Sequence, residues 1–191
     1  MFGVRKVRGR RTQPPPPCRG IEHDKSFSIF GVVVNDWMTA VDHVSHLLTT
    51  CSRQLYALRV LRAHGLPRES ICDVAQGTVI SRLTYCSPDW SGLCSAADRA
   101  RLNAVLRRCR RLVCLDDNDA ASVEDLFQST DDKLFRKILR NSAHVLQPLI
   151  PDRRPSSYDL RPRCHDKLLL NKTTYLNERD FVICMLHRDS Y

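Results

Sequence analysis

Seven glycines in 191 residues leave little room for phosphate-cradling loops, and no glycine-rich nucleotide loop occurs. Gly-x-Ser-x-Gly and His-Glu-x-x-His are also missing, which removes the motif-bearing serine hydrolases and zinc peptidases from consideration. Apolar runs are short. The longest, Phe27 to Val34, is interrupted by Ser28 and Gly31, far below the roughly 18 residues that a membrane-spanning helix requires. The expectation is a chain without a membrane partner.

Nine cysteines are present, yet no Cys-x-x-Cys pair is among them. The number is odd and no signal-peptide pattern is visible, so neither a disulfide framework nor a zinc site is expected. Cys51, Cys72, Cys86 and Cys109 fall at apolar positions of expected helices, where cysteine serves as a small hydrophobe. Free thiols imply a reducing compartment, cytoplasmic or nuclear rather than secreted. His43 and His46 stand three apart, but no third ligand lies near them in sequence. No metal or other cofactor is expected.

Charge, by contrast, is plentiful. Lys+Arg number 30 against 21 Asp+Glu, a formal net charge of +9, which suits a polyanionic partner. The charge is unevenly spread. Residues 1–25 hold seven Lys/Arg against two acids, together with the run Pro14 to Pro17. That composition favours a disordered basic tail with polyproline character.

From residue 26 the pattern changes. SFSIFGVVV is β-branched and aromatic and predicts one strand of about six residues near 27–34, without a partner strand in sight. Val44, Leu48, Cys51, Leu55 and Leu58 then recur at helical spacing, predicting a helix over 39–64 begun by Asp36 or Thr39 and ended by Gly65 and Pro67. Ile71, Val74, Ala75, Thr78, Val79 and Cys86 predict a second helix over 68–87, closed by Pro88. Leu102, Val105, Leu106, Cys109 and Leu112 predict a third over 96–114, with Ser95 and Asp98 spaced as a capping box.

Asp116 to Asp132 contains seven acids and no Lys or Arg. Within it, Val123 to Gln128 forms a short helical candidate, and Leu134, Ile138, Leu139 and Val145 predict a fourth helix over about 131–146. Prolines at 148, 151, 155 and 162 punctuate an irregular stretch. A final short helix is expected over about 174–187, with Phe181, Val182 and Met185 on one face. The fold class expected is mainly α: a small helical bundle with one or two short strands near its start. Residues 26–147 form that domain, and 148–191 a C-terminal segment with irregular structure and one short helix. Trp37 and Trp90 are expected to close the edge of the core.

The sharpest chemical signal is on the third helix. Arg99, Arg101, Arg107, Arg108, Arg110 and Arg111 all lie off its apolar stripe. One side can therefore pack while the other presents guanidinium groups, which stay charged and grip phosphate in a bidentate way. The competing reading is a solvated face, partly neutralised by the neighbouring acidic stretch. Asp116-Asp117 does not suit a two-metal centre, because it comes after Val113-Cys114-Leu115 at the end of an Arg-rich helix.

These pieces, in this order, resemble the region beyond the polymerase palm of LINE-type (non-LTR, jockey-like) retrotransposon reverse transcriptases. Phe30-Gly31-Val32 is similar to the strand after the palm, Asn35-Asp36-Trp37 to the turn behind it, and Asp42-His43-Val44 to the start of the first thumb helix. Tyr56 to Arg62 resembles its Leu-rich, Arg-bearing continuation. Arg82-Leu83-Thr84-Tyr85-Cys86 with Trp90 is the most specific piece. Leu134 to Leu139, Pro-Asp-Arg-Arg from Pro151 and Tyr-Asp-Leu-Arg from Tyr158 resemble the family's post-thumb segments. The family's fingers, palm and aromatic-Ala-Asp-Asp box have no counterpart among these residues. The resemblance thus implies a thumb-like, non-catalytic polymerase fragment that touches RNA or DNA through the phosphate backbone. The alternatives are a helical protein–protein module, self-associating through exposed apolar residues such as Val32, Val34 and Leu58, and a pseudogene product with no selected function.

Overall fold

Phe30 and Gly31 decide how the chain begins. In the computed structural model, which describes residues 24–113, 121–153, 165–174 and 177–188, both have positive φ, 49° and 82°. Two successive left-handed residues make the tight turn that matches strand twist. The expected single strand is therefore a hairpin, β1 (Ser26–Ile29) against β2 (Val32–Asn35), antiparallel with Phe27 opposite Val34 and Ile29 opposite Val32. Gly31 lies in the turn rather than inside a strand, and each strand supplies the other's partner.

Helix α1 (Val41–Ala63) comes next. Neither Asp36 nor Thr39 caps it. Ala40 is the N-cap residue, without a side-chain bond, and Thr39 and Asp42 instead share the Asn35 amide at 2.8 and 2.9 Å. Its end is as expected: Gly65, with φ 84°, turns the chain after His64. Val44, Cys51, Leu55 and Leu58 are buried and Leu48 half-buried.

The second expected helix is interrupted. Arg68–Ala75 (α2) continues through a π-helical turn, Gln76–Ile80, into α3 (Ser81–Thr84), and there it stops. Cys86 adopts a left-handed conformation, φ 48°, and a new short helix α4 (Ser87–Trp90) starts with Pro88 in its first turn. Pro88 thus opens a helix instead of closing one, as its missing N–H allows. The reorientation drives Trp90 inward to 1% exposure.

After the 3-10 turn Ser91–Leu93, helix α5 (Ala96–Val113) begins on the expected capping box. Ser95 Oγ accepts from the Asp98 amide, and Asp98 Oδ2 accepts from the Ser95 amide, both at 3.2 Å. Leu102, Val105, Leu106 and Cys109 are all buried. The two helical pieces expected near 123–128 and 131–146 are one helix, α6 (Val123–Arg140). Ser122 and Asp125 form a capping box at its start, so the acids of the first turn stabilise the helix N-terminus. Beyond Arg140 the chain turns, and Val145 is exposed rather than packed. Helix α7 is shorter than expected, Phe181–His187, because Asp180 caps it by accepting from the Ile183 amide at 3.0 Å.

The main core joins β2, α1, α2, the π turn, α3, α4, α5 and the start of α6. A second, smaller core holds Phe135 of α6 against Val182, Met185 and Leu186 of α7. Arg188 pairs with Asp132 at 2.8 Å beside it. Trp37, expected in the core, is 66% exposed. Val32 and Leu58, expected as exposed faces, are buried, and Val34 is half-buried. No described helix is long and apolar enough to cross a membrane.

Gly92 lies hard against the segment that leads into α7. A Cβ there would meet the Arg179 carbonyl oxygen at 2.7 Å, whereas one at Gly77 would meet nothing within 4 Å. Gly92→Ala should therefore destabilise the chain by about 1–3 kcal/mol and speed amide exchange in α7. Gly77→Ala should change stability by less than about 1 kcal/mol. Urea denaturation and hydrogen exchange of the two variants check this.

Candidate nucleic-acid interface

Successive residues of a helix are 100° apart, so the buried stripe of α5 assigns each arginine an angular place. Arg99 and Arg110 flank the stripe on one side, Arg101 and Arg108 flank it on the other, and Arg107 and Arg111 project opposite to it. The contacts respect that division. Arg99 donates to the Ser91 carbonyl at 2.9 Å and lies 5.9 Å from the centre of the Phe127 ring. Arg101 reaches Asp98 at 3.5 Å and the Ser45 hydroxyl at 3.4 Å. Arg110 donates to the Ala121 carbonyl at the entry to α6.

The expected surface of six arginines is thus smaller. Arg99, Arg101 and Arg110 are engaged in joining α5 to its neighbours. Arg107, Arg108 and Arg111 are exposed. Among the described residues no ion pair involves Arg107 or Arg108. Three of the four acids of α6 are otherwise occupied: Glu124 accepts from Asn103 at 3.0 Å, Asp125 caps its helix and Asp132 pairs with Arg188. Asp116 and Asp117 lie outside the described residues, as does most of the basic stretch 1–25.

One residue of this surface has no signal in the sequence. Arg62, in the last turn of α1, donates to the Leu112 carbonyl at 2.7 Å. It caps the end of α5 and brings a fourth guanidinium to the Arg107, Arg108 and Arg111 end. Arginines at a helix C-terminus also offset the partial negative charge of its free carbonyls.

Two titratable groups, His43 buried and Asp131 half-buried, border the core. His43 is 3% exposed. Its Nδ1 accepts from the Val33 amide at 3.3 Å, so the neutral ring carries its proton on Nε2, which is covered and has no partner. Leaving such a donor unpaired costs about 1–3 kcal/mol. Burial, with a smaller effect from His46, lowers the His43 pKa below 6.5. Asp131 on α6 is opposite in sense. Burial pushes its carboxyl up to about 6; Asp132 adds to the rise while Arg188 and Arg99 oppose it. Burial also raises the Cys51 and Cys94 thiols to about 11, which leaves both unreactive at neutral pH. No group of three or more His, Cys, Asp or Glu that could hold a metal occurs among the described residues.

No protein-family model, curated protein or solved structure matches this chain.

The two titrations predict opposite pH responses. The unfolded chain binds a proton at His43 that the folded chain refuses, so stability falls as the pH drops through 6.5. Folded Asp131 holds its proton to about 6 against 3.8 when unfolded, so its contribution is lost as the pH rises across that window. His43→Asn, which keeps an acceptor for Val33, should lessen the acid-side loss. Asp131→Asn should stabilise at neutral pH by on the order of 1 kcal/mol, a figure reduced because solvent screens a half-covered carboxylate. Urea denaturation of both variants from about pH 4 to pH 8 tests the signs.

Proposed function

We propose that this chain is a non-catalytic, thumb-like remnant of a LINE-type reverse transcriptase that binds RNA or DNA through the phosphate backbone. The observation that carries the reading is the exposed guanidinium group of Arg107, Arg108 and Arg111 at the end of α5, with Arg62 of α1 beside it. The net charge of +9 supports it, as does the order of the thumb-like segments from Phe30 to Leu139. Backbone contact needs no base-reading groups, which suits a surface made of one residue type on one side of a helix. Catalysis belongs to palm carboxylates, for which these residues offer no counterpart.

A second reading rests on a different surface. Phe27, Ile29, Phe30, Trp37, Met38 and Val41 are all exposed, Phe30 at 85%. Phe30 and Met38 also hold positive φ, a conformation costly for bulky residues. Exposed apolar residues clustered in sequence around one hairpin suit a protein partner or self-association.

Salt dependence separates the two. Three phosphate contacts on duplex DNA give a log–log salt slope of about −2.7. Replacing Arg107, Arg108 and Arg111 with Gln should reduce that slope by roughly 2 to 3 units without unfolding the chain. Arg99→Gln should instead lower stability. Fluorescence anisotropy with duplex and single-stranded probes reads the slope. If the triple variant keeps full affinity while deletion of residues 1–25 abolishes it, the interface on α5 is wrong. Salt-insensitive self-association favours the second reading. The purified chain should also show no primer extension above background on a poly-A template; extension abolished by Asp117→Ala would contradict a non-catalytic role.

A further inference from the structure

The hairpin has an open strand edge, and its ladder fixes which groups stand on that edge. Asp36 donates to the Lys25 carbonyl at 2.9 Å, so Lys25 and Asp36 form a hydrogen-bonded pair. Bonded and non-bonded pairs alternate along an antiparallel ladder. Phe27 with Val34 and Ile29 with Val32 are therefore bonded pairs, whereas Ser26 with Asn35 and Ser28 with Val33 are not. The Val33 amide follows the same alternation, turning away from β1 to donate to His43 at 3.3 Å. The N–H and C=O groups of Ser26 and Ser28 thus point outward from β1, and no described residue bonds to them.

All four residues of β1 are exposed. Edge strands are ordinarily blunted by a charge, a proline or a bulge. Ser26–Ile29 contains no charged residue and no proline, and its register with β2 is unbroken. Side chains alternate between the two faces, so Phe27 and Ile29 share a face with Val32 and Val34. The two valines pack against the main core, while Phe27 and Ile29 are each 51% exposed. The apolar face of the hairpin extends past its support.

A second copy of the same strand matches both features. Antiparallel pairing about a two-fold axis at Phe27 sets each Ser26 opposite Ser28 of the other copy, with four backbone hydrogen bonds. Phe27 then meets its counterpart in the non-bonded pair between them, where side chains approach most closely. Moving the axis to Ser26 sets Phe27 against Lys25. Moving it to Ser28 draws Phe30, a turn residue, into the ladder. The central register also brings each Phe30 level with Asp24 of the other copy, at the hairpin end that leads into Trp37 and Met38. Phe27, Ile29, Phe30, Trp37 and Met38 are 43–85% exposed, which leaves on the order of 600 Å² open per chain. Two chains then bury about 1,200 Å², the lower end of the range for specific interfaces.

We propose that the chain forms a closed two-fold dimer in which the two β1 strands pair antiparallel about Phe27, making one four-stranded sheet. The proposal rests on the exposed hairpin of the second reading above; phosphate contact through α5 uses other residues.

Sedimentation of the full chain over a range of concentrations, with hydrogen exchange read at single amides, tests it. A monomer–dimer equilibrium with Kd below about 100 µM is expected. The Ser26 and Ser28 amides should gain protection as the dimer forms, while those of Phe27 and Ile29, already bonded to β2, should not change. Ser28→Pro removes an outward N–H and no ladder bond, so it should weaken the dimer at least about tenfold with the helical circular dichroism unchanged. Phe27→Lys, which sets like charges across the axis, should weaken it similarly and serves if the proline variant fails to fold. The triple Gln variant at Arg107, Arg108 and Arg111 should dimerise as the native chain does. A chain that stays monomeric at about ten times the expected Kd overturns the proposal, as do open-ended oligomers. Self-association that leaves the Ser26 and Ser28 amides exchanging as in the monomer also overturns it, while leaving the second reading standing on another surface.

Discussion

The seating of Trp90 is the constraint on which the other elements depend. Its indole N–H donates to the Tyr85 carbonyl at 3.1 Å, which fixes the ring across the left-handed step at Cys86. One ring edge meets His43 at 4.8 Å and another meets Phe127 at 5.1 Å, both steeply inclined. Such pairs add about 0.5–1.5 kcal/mol each beyond the area they bury. More important is what they join. His43 holds the Val33 amide of β2, and Phe127 carries the start of α6 and lies beneath the Arg99 guanidinium. A continuous path of contacts thus runs from the hairpin through α1 and α4 to α6 and α5.

That arrangement explains the division of labour among the arginines. A guanidinium beside an apolar stripe can extend its methylene stem over the core and still reach a carbonyl. Arg99 and Arg110 do so toward Ser91 and Ala121, and Arg62 does so toward Leu112. Residues opposite the stripe are the ones that project their charge away from the core. Counting arginines along a helix therefore overstates the charge available to a partner, because the flanking positions are used in packing. Burial acts on the carboxyls of α6 in the same uneven way: Asp125, fully exposed, is held below its ordinary pKa by its Ser122 bonds, while Asp131 is pushed up.

The helical frame was legible in the sequence because periodic stripes and caps are local properties. The stripe of α5 and its Ser95–Asp98 box needed no tertiary information, nor did the Gly65 stop. The features that escaped detection depended on contacts far apart in sequence or on unusual backbone. Phe30 gives no turn signal, since a bulky residue rarely takes positive φ, so the hairpin was hidden in a β-branched run. Cys86 conceals the break before α4 for the same reason, and Pro88 reads as a stop although its place is the start of a helix. Ser122 and Asp125 are a capping box, but the acidic run around them masked it. Trp37 lies outside the core because periodicity locates a stripe without saying which rings lie above it, whereas Leu58 is buried as its place on the α1 stripe requires. The candidate surface was visible as a composition of arginines, whereas Arg62 and the partition between engaged and outward residues exist only in three dimensions.

Trp90 can be observed alone, because the exposed Trp37 is the second of only two tryptophans. The most direct measurement is the fluorescence of the Trp37→Phe chain, with acrylamide quenching in buffer and a urea titration followed in parallel by far-ultraviolet circular dichroism. A Trp90 that seats the core gives blue-shifted emission, resists quenching in buffer and loses both properties in the same transition that melts the helices. Emission that is quenched in buffer as freely as in urea, or that changes at lower urea than the helical signal, would contradict the account.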